Sequence, residues 1–314
     1  MPVALIALLA LGGMLAGTFG ALLGLGGGIL VVPMLTLGFG LPFREAAAIS
    51  LMGVIMTSSS SAAVYLRRRT ANLRLGLTLE LFAATGALVG GLVAFALSER
   101  ALAGLMAAML VYTAWTMLRR AIAERREGAA GPTLGTDPPA TAVPPGAVPA
   151  ATAGGYGSAA IAIPRGMSSP SAVSYIAALG GPDYAVQRLP LGATLAFAAG
   201  ILSALLGVGG GVVQVPAMNL VIGAPLRVST ATSNLMMGVT ASAGALMYLL
   251  RGEVDPYVAG PVVVGVFLGA VATSRLSHRV PTRVLRLLFV AVLCYTAFEM
   301  ASRALGLPIG PFGV

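Results

Sequence analysis

Apolar runs separated by short polar or glycine-rich stretches fill both ends of the chain. They predict helices at 2–22, 28–41, 44–66, 76–97 and 101–118, and again at 190–205, 211–224, 227–249, 258–275 and 284–304. The second run of each set is near 14 residues, against the roughly 20 that a membrane span needs. It predicts a tilted or half-membrane helix enclosed by its neighbours, because lipid does not tolerate broken backbone. The run 2–22 looks superficially like a signal peptide, but no Arg or Lys precedes Arg44 and no A-x-A-like site closes it. It is therefore expected to remain as a transmembrane helix.

Between the two sets the pattern collapses. Residues 127–188 contain TDPPATAVPPGAVPAATAGGYG, with no sustained apolar run, which reads as a flexible linker; SAVSYIAAL (171–179) within it is compatible with a short surface helix. The expected units are thus 1–126, the linker 127–188, and 189–314. The outer two align at a constant offset of 183 residues. ALLGLGGG (21–28) meets ALLGVGGG (204–211), and the same offset pairs Pro33 with Pro216, Pro42 with Pro225, Arg44 with Arg227, Ser50 with Ser233, Tyr65 with Tyr248, Gly86 with Gly269, Arg100 with Arg283 and YTAW (112–115) with YTAF (295–298). A register held without a gap over about a hundred residues reads as an internal duplication.

Composition sharpens this. Hydrophobic residues are 57% of the 314 and charged residues 9%, with mean hydropathy +0.93, whereas soluble domains carry about 25% charged residues. The expected class is all-α, a polytopic integral membrane protein. All nineteen basic residues are Arg, giving net charge +9, but they lie between apolar runs rather than on one stripe, so nucleic acid is not the expected partner. The lipid bilayer is, and a homo-oligomer is left open. Loop 67–74 carries Arg67, Arg68, Arg69 and Arg74, while 98–100 balances Glu99 against Arg100. In the second set the weights exchange: 251–255 holds Arg251, Glu253 and Asp255, and 275–286 holds Arg275, Arg279, Arg283 and Arg286. Equivalent loops then favour opposite sides, which predicts an inverted repeat with the linker cytoplasmic. The one Cys (Cys294) and one His (His278) exclude a disulfide framework and make a thiolate or histidine metal site unexpected. No cofactor is expected, and no nucleophile–base pair suggests an enzyme.

The chemistry-bearing candidates are few. Gly24, Gly26, Gly27 and Gly28, with their counterparts Gly207, Gly209, Gly210 and Gly211, should unwind a helix, since each Gly costs about 1 kcal/mol there relative to Ala. Unwound amides followed by a new helix make a site for an anion without a charged side chain. Close helix packing is the competing reading for one cluster alone, and the duplication favours the site. A phosphate loop is excluded, because GLGGG lacks the preceding strand and the lysine. After Pro33 and Pro216 come PFREAAAIS and PLRVSTATS, with Arg44 and Arg227 either attracting an anion or reaching for head groups. Ser50, Thr232, Ser233 and Asn234, together with Gln214 and Asn219 beside Pro216, offer neutral hydrogen bonds to an oxyanion, or else hold helices together. Glu80 and Glu299 lie within or beside apolar segments near helix ends, and an intramembrane acid suggests proton coupling.

The duplicated GxGGG-x4-P element, followed by P-x-R-x-A and P-x-R-x-S-T-A-T-S, resembles the TauE/SafE group, the sulfite exporter or TSUP permeases, over about 2–120 and 190–305. The resemblance implies a multi-pass inner-membrane permease for sulfite, sulfonates or related sulfur and organic anions. It would make Gly24–Gly28 with Pro33, and Gly207–Gly211 with Pro216, the paired signature elements. The long linker departs from the short loop such a protein is expected to have. The expectation is a small-anion permease working by alternating access at a midplane site; the alternatives are a passive anion channel and a non-transporting membrane scaffold.

Overall fold

The computed structural model describes residues 3–23, 27–67, 71–129, 186, 188–276 and 282–306. The 171–179 patch, Arg68, Arg69, His278 and Arg279 lie outside the described residues. Among those described, all regular structure is helical. The first half comprises α1 (Val3–Leu23), α2 (Gly28–Pro33), α3 (Phe43–Arg67), α4 (Leu73–Ala96) and α5 (Glu99–Ala129). The second comprises α6 (Leu189–Leu206), α7 (Gly211–Pro216), α8 (Leu226–Leu250), α9 (Pro256–Leu276) and α10 (Thr282–Ala304). Seven of these (α1, α3, α4, α5, α6, α8 and α9) are long and apolar enough to cross a membrane. The chain is a multi-pass membrane protein.

The two short helices share one construction. Each begins on a glycine of positive φ, Gly27 at 69° and Gly210 at 71°, where an L side chain would be strained. Each ends on a proline, Pro33 or Pro216, and passes into a wider π turn, Met34–Gly38 or Ala217–Val221. Proline has no N–H to donate and its ring pushes away the carbonyl one turn back, so the helical ladder loosens there. Both short helices are therefore bounded by sequence on both sides, and reach about 16 Å including the π turn.

Packing divides the helices into two clusters. In one, α1 lies along α9, with α2 and α3 beside them; in the other, α6 lies along α4, with α7 and α8 beside them. α3 and α8 join the clusters, and α5 pairs with α10. The α1/α9 and α4/α6 pairs run parallel, as Gly13 and Gly17 abut the backbone of Val262 and Val266, and Gly86 and Gly90 that of Phe197 and Ile201. A Cβ on Gly86 would collide with the Phe197 carbonyl, and one on Gly269 with that of Met14. Such backbone-to-backbone approach replaces the hydrophobic drive that lipid removes. The α3/α8 pair runs antiparallel: Ser58 donates to the Asn234 carbonyl, while toward the other end Leu51 packs near Gly244.

The expected boundaries hold within a few residues, with one clear difference. Helix α5 continues to Ala129 rather than ending near 118. Its continuation, RRAIAERRE, is rich in good helix formers, so the helix outlasts the apolar run. At that exit, Arg119 stacks over Trp115 with its guanidinium carbon 4.9 Å from the ring centre.

Candidate functional site

The two glycine breaks meet. Ser50, on α3 and fully buried, places its hydroxyl 2.6 Å from the Gly207 carbonyl and 3.1 Å from that of Gly28. A Cβ on Gly28 would stand 2.5 Å from the Gly207 oxygen, 2.8 Å from Val54 Cγ2 and 2.9 Å from Ser50 Oγ. Gly207 in turn lies against Ala47 and Val32, and Gly209 against Val54. The second break thus packs directly on α2 and α3, with a single hydroxyl bridging both breaks. Gly24 and Gly26 lie outside the described residues.

The second break holds polar groups without partners. Gln214 (1% exposed) accepts a hydrogen bond from Ser233 Oγ at 3.2 Å through its Oε1, which turns its amide nitrogen away from that contact. That Nε2 has no partner, nor does the Oγ of Ser203, also 1% exposed. Both residues flank Gly210: a Cβ there would lie 3.4 Å from Gln214 Nε2 and 3.4 Å from Ser203 Cβ. A buried donor left unpaired costs about 1–3 kcal/mol, so such a pair is a candidate place for an acceptor. Gln214 and Ser203 together supply three N–H or O–H donors and no charge. Two of the backbone amides at the break are engaged. Gly207 N–H is donated to Ser203 O and Gly211 N–H to Gly209 O, each at 2.9 Å.

The remaining candidates lie elsewhere or hold the frame. Arg44 donates from Nε to the Ala94 carbonyl (3.3 Å) and from Nη2 to those of Phe95 (3.4 Å) and Leu97 (2.9 Å), closing the C-terminus of α4. The side chain of Arg227 lies outside the described residues. Thr232 accepts from the Asn72 amide at the start of α4 (3.0 Å). Asn234 Nδ2 donates to Thr230 O, and Asn219 Nδ2 to Ala224 O across the turn before α8, each at 2.9 Å. Glu80 is buried in α4 at 5% exposure and accepts from Thr240 Oγ1 at 2.8 Å. It is far better enclosed than its sequence position near a helix end suggested. Glu299 sits on α10, at 8% exposure.

Sequence reasoning passed over Ser203 and Thr240. Ser203 carried a readable signal, since the 183-residue offset sets it against Gly20. Thr240 carried none, because its counterpart Thr57 is the same residue.

A broken helix beside buried polar groups, inside a membrane helix bundle, is compatible with a permease. The chain matches the family described as Sulfite exporter TauE/SafE over residues 9–300. It belongs to that family. It is 23% identical over 298 residues to "Probable membrane transporter protein YunE" of Bacillus subtilis (strain 168), covering 91% of this chain and 95% of that protein. It is also 27% identical over 150 residues to "Probable membrane transporter protein MamO" of Paramagnetospirillum magneticum (strain ATCC 700264 / AMB-1), covering 45% of this chain but 22% of MamO. The MamO of Magnetospirillum gryphiswaldense (strain DSM 6361 / JCM 21280 / NBRC 15271 / MSR-1) is 27% identical over 165 residues, 50% of this chain and 25% of that protein. No solved structure matches. The TauE/SafE match spans both helical sets, and so includes both glycine breaks.

Proposed function

We propose that this TauE/SafE permease carries a small oxyanion, of the class of sulfite, a sulfonate or a related sulfur or organic anion, by exposing a buried site alternately to the two sides. The observation that carries the reading is the pair of unpartnered donors, Gln214 Nε2 and Ser203 Oγ, beside the Gly210 break. Neutral donors suit an anion that must be released as readily as it is bound, because a buried cation would hold it too tightly.

The architecture behind this mechanism is a duplicated unit in inverted orientation. Three things support it. The Gly86–Phe197 and Gly269–Met14 contacts are the same contact moved by 183 residues, as are Gly200–Ala83 and Gly17–Val266. The equivalent helices α3 and α8 run antiparallel, as inversion requires. Following the helix directions, the helix ends that carry Arg67, Arg74, Arg275, Arg283 and Arg286 fall on one side and the 98–100 and 251–255 loops on the other. By the positive-inside rule the first side is cytoplasmic, with the linker, in an inner membrane.

The test is uptake into proteoliposomes of sulfite, thiosulfate, sulfate, sulfoacetate, taurine and simple carboxylates. Saturable uptake of one oxyanion, lost in Gln214→Leu protein that still folds, is the expected result. Uptake that rises linearly without saturation would favour a channel. No uptake across the panel in folded protein would contradict the reading.

A further inference from the structure

We propose that Glu80 and Thr240 form a proton site that loads together with the anion, making the permease an anion–proton symporter. This rests on the permease reading above.

Glu80 sits two turns into α4, beside the apolar cluster of Leu75, Leu79, Ala83, Met218 and Met236. One carboxyl oxygen accepts the Thr240 hydroxyl from α8. The other, Oε2, is buried and has no partner. The elements packed on α4 offer it no described counter-charge. α6 has no titratable residue, with Arg188 just before it exposed, and α8 has Arg227, whose side chain is outside the described residues, and Tyr248, whose hydroxyl is donated to Ala204 O. On α4 itself Arg74 is exposed and lies in the first turn. A carboxylate without a cation in a dry interior is strongly disfavoured, whereas a carboxylic acid has an O–H to satisfy and no charge to solvate.

The link to the anion runs through α8. Thr240, which holds Glu80, and Ser233, which holds Gln214, are seven residues apart, two turns along the same face and about 10 Å in rise. One helix therefore grips both sites. The sign follows from charge: the anion brings one negative charge into this interior, and protonating Glu80 removes another, so each favours the other. In the loading step a proton from the aqueous side adds to a Glu80 carboxylate oxygen, forming one O–H bond, and the same proton leaves on the opposite side. No electrons move.

The experiment measures sulfite uptake into proteoliposomes with the membrane potential clamped to zero. For one proton per anion, an exterior one pH unit more acidic should drive about tenfold accumulation in wild type. In Glu80→Gln, accumulation should vanish while sulfite counterflow at equal pH persists. Thr240→Val should keep accumulation but shift its dependence on pH. Infrared spectra of the purified protein should contain a protonated-carboxyl band that disappears in Glu80→Gln, a readout independent of transport. Wild-type uptake that ignores the gradient, a Glu80→Gln protein that still accumulates, or an unchanged infrared band would each overturn the proton site. Absence of any wild-type sulfite uptake with the infrared band present would count against the sulfite reading and leave Glu80 as a proton-binding group.

Discussion

The cluster of α1, α2, α3 and α9 and the cluster of α4, α6, α7 and α8 have the same plan and different chemistry. In the second, Ser203, Gln214, Ser233, Thr240 and Glu80 form a run of buried polar groups. At the offset of 183 the first cluster has Gly20, Val31, Ser50, Thr57 and Val263. Among the described residues of that cluster, the Ser50 hydroxyl is engaged with the carbonyls of Gly28 and Gly207, and the Thr57 hydroxyl beside Gly27 with that of Val54. Among the described residues, the second break thus keeps two buried donors without partners, and the first shows none. Under the proposed function, the second break would keep the groups that bind and the first would be the surface it moves against.

The largest effect that would break this comparison is steric. Gly28→Val should abolish sulfite uptake and lower thermal stability in detergent, because its side chain meets backbone and packed side chains, an overpacking of about 1–3 kcal/mol or more. The equivalent Gly211→Val should be milder, since the added carbon meets the flexible end of Met237. Next, Gln214→Leu should cut uptake at least about tenfold with melting temperature little changed, because the empty donor it removes is offset by the Ser233 hydroxyl it leaves without its acceptor. Its converse, Val31→Gln, should lower the melting temperature with no gain in uptake. Ser203→Ala should raise KM about threefold to tenfold, the smaller share expected of one neutral hydrogen bond. Smallest in transport, Ser50→Ala and Arg44→Gln should each reduce stability by about 1–3 kcal/mol and leave KM nearly unchanged, because their bonds are to backbone carbonyls. A large KM effect at Arg44 would restore it to the anion's path.

Much of the fold was legible in the sequence because lipid enforces it: long apolar runs become helices, and glycine and proline at fixed positions break two of them. The ends of α2 and α7 follow directly from Gly27, Gly210, Pro33 and Pro216. The site was only half legible. The candidates Gly210 and Gln214 could be named, but whether a serine or threonine bonds to a neighbouring helix or its own depends on rotation and neighbours. Thr36 and Thr113 bond back to their own helices, while Thr240 reaches across to Glu80. Arg44 illustrates the same limit, since nothing in PFREAAAIS reveals that the C-terminus of α4 comes to meet it.

The most direct test of the central claim is side-by-side sulfite uptake by wild-type and Gln214→Leu protein, reconstituted in equal folded amounts. Saturable uptake by the wild type that Gln214→Leu loses, at a nearly unchanged melting temperature, is the predicted result. Equal saturable uptake by both proteins would contradict a substrate site at the second break.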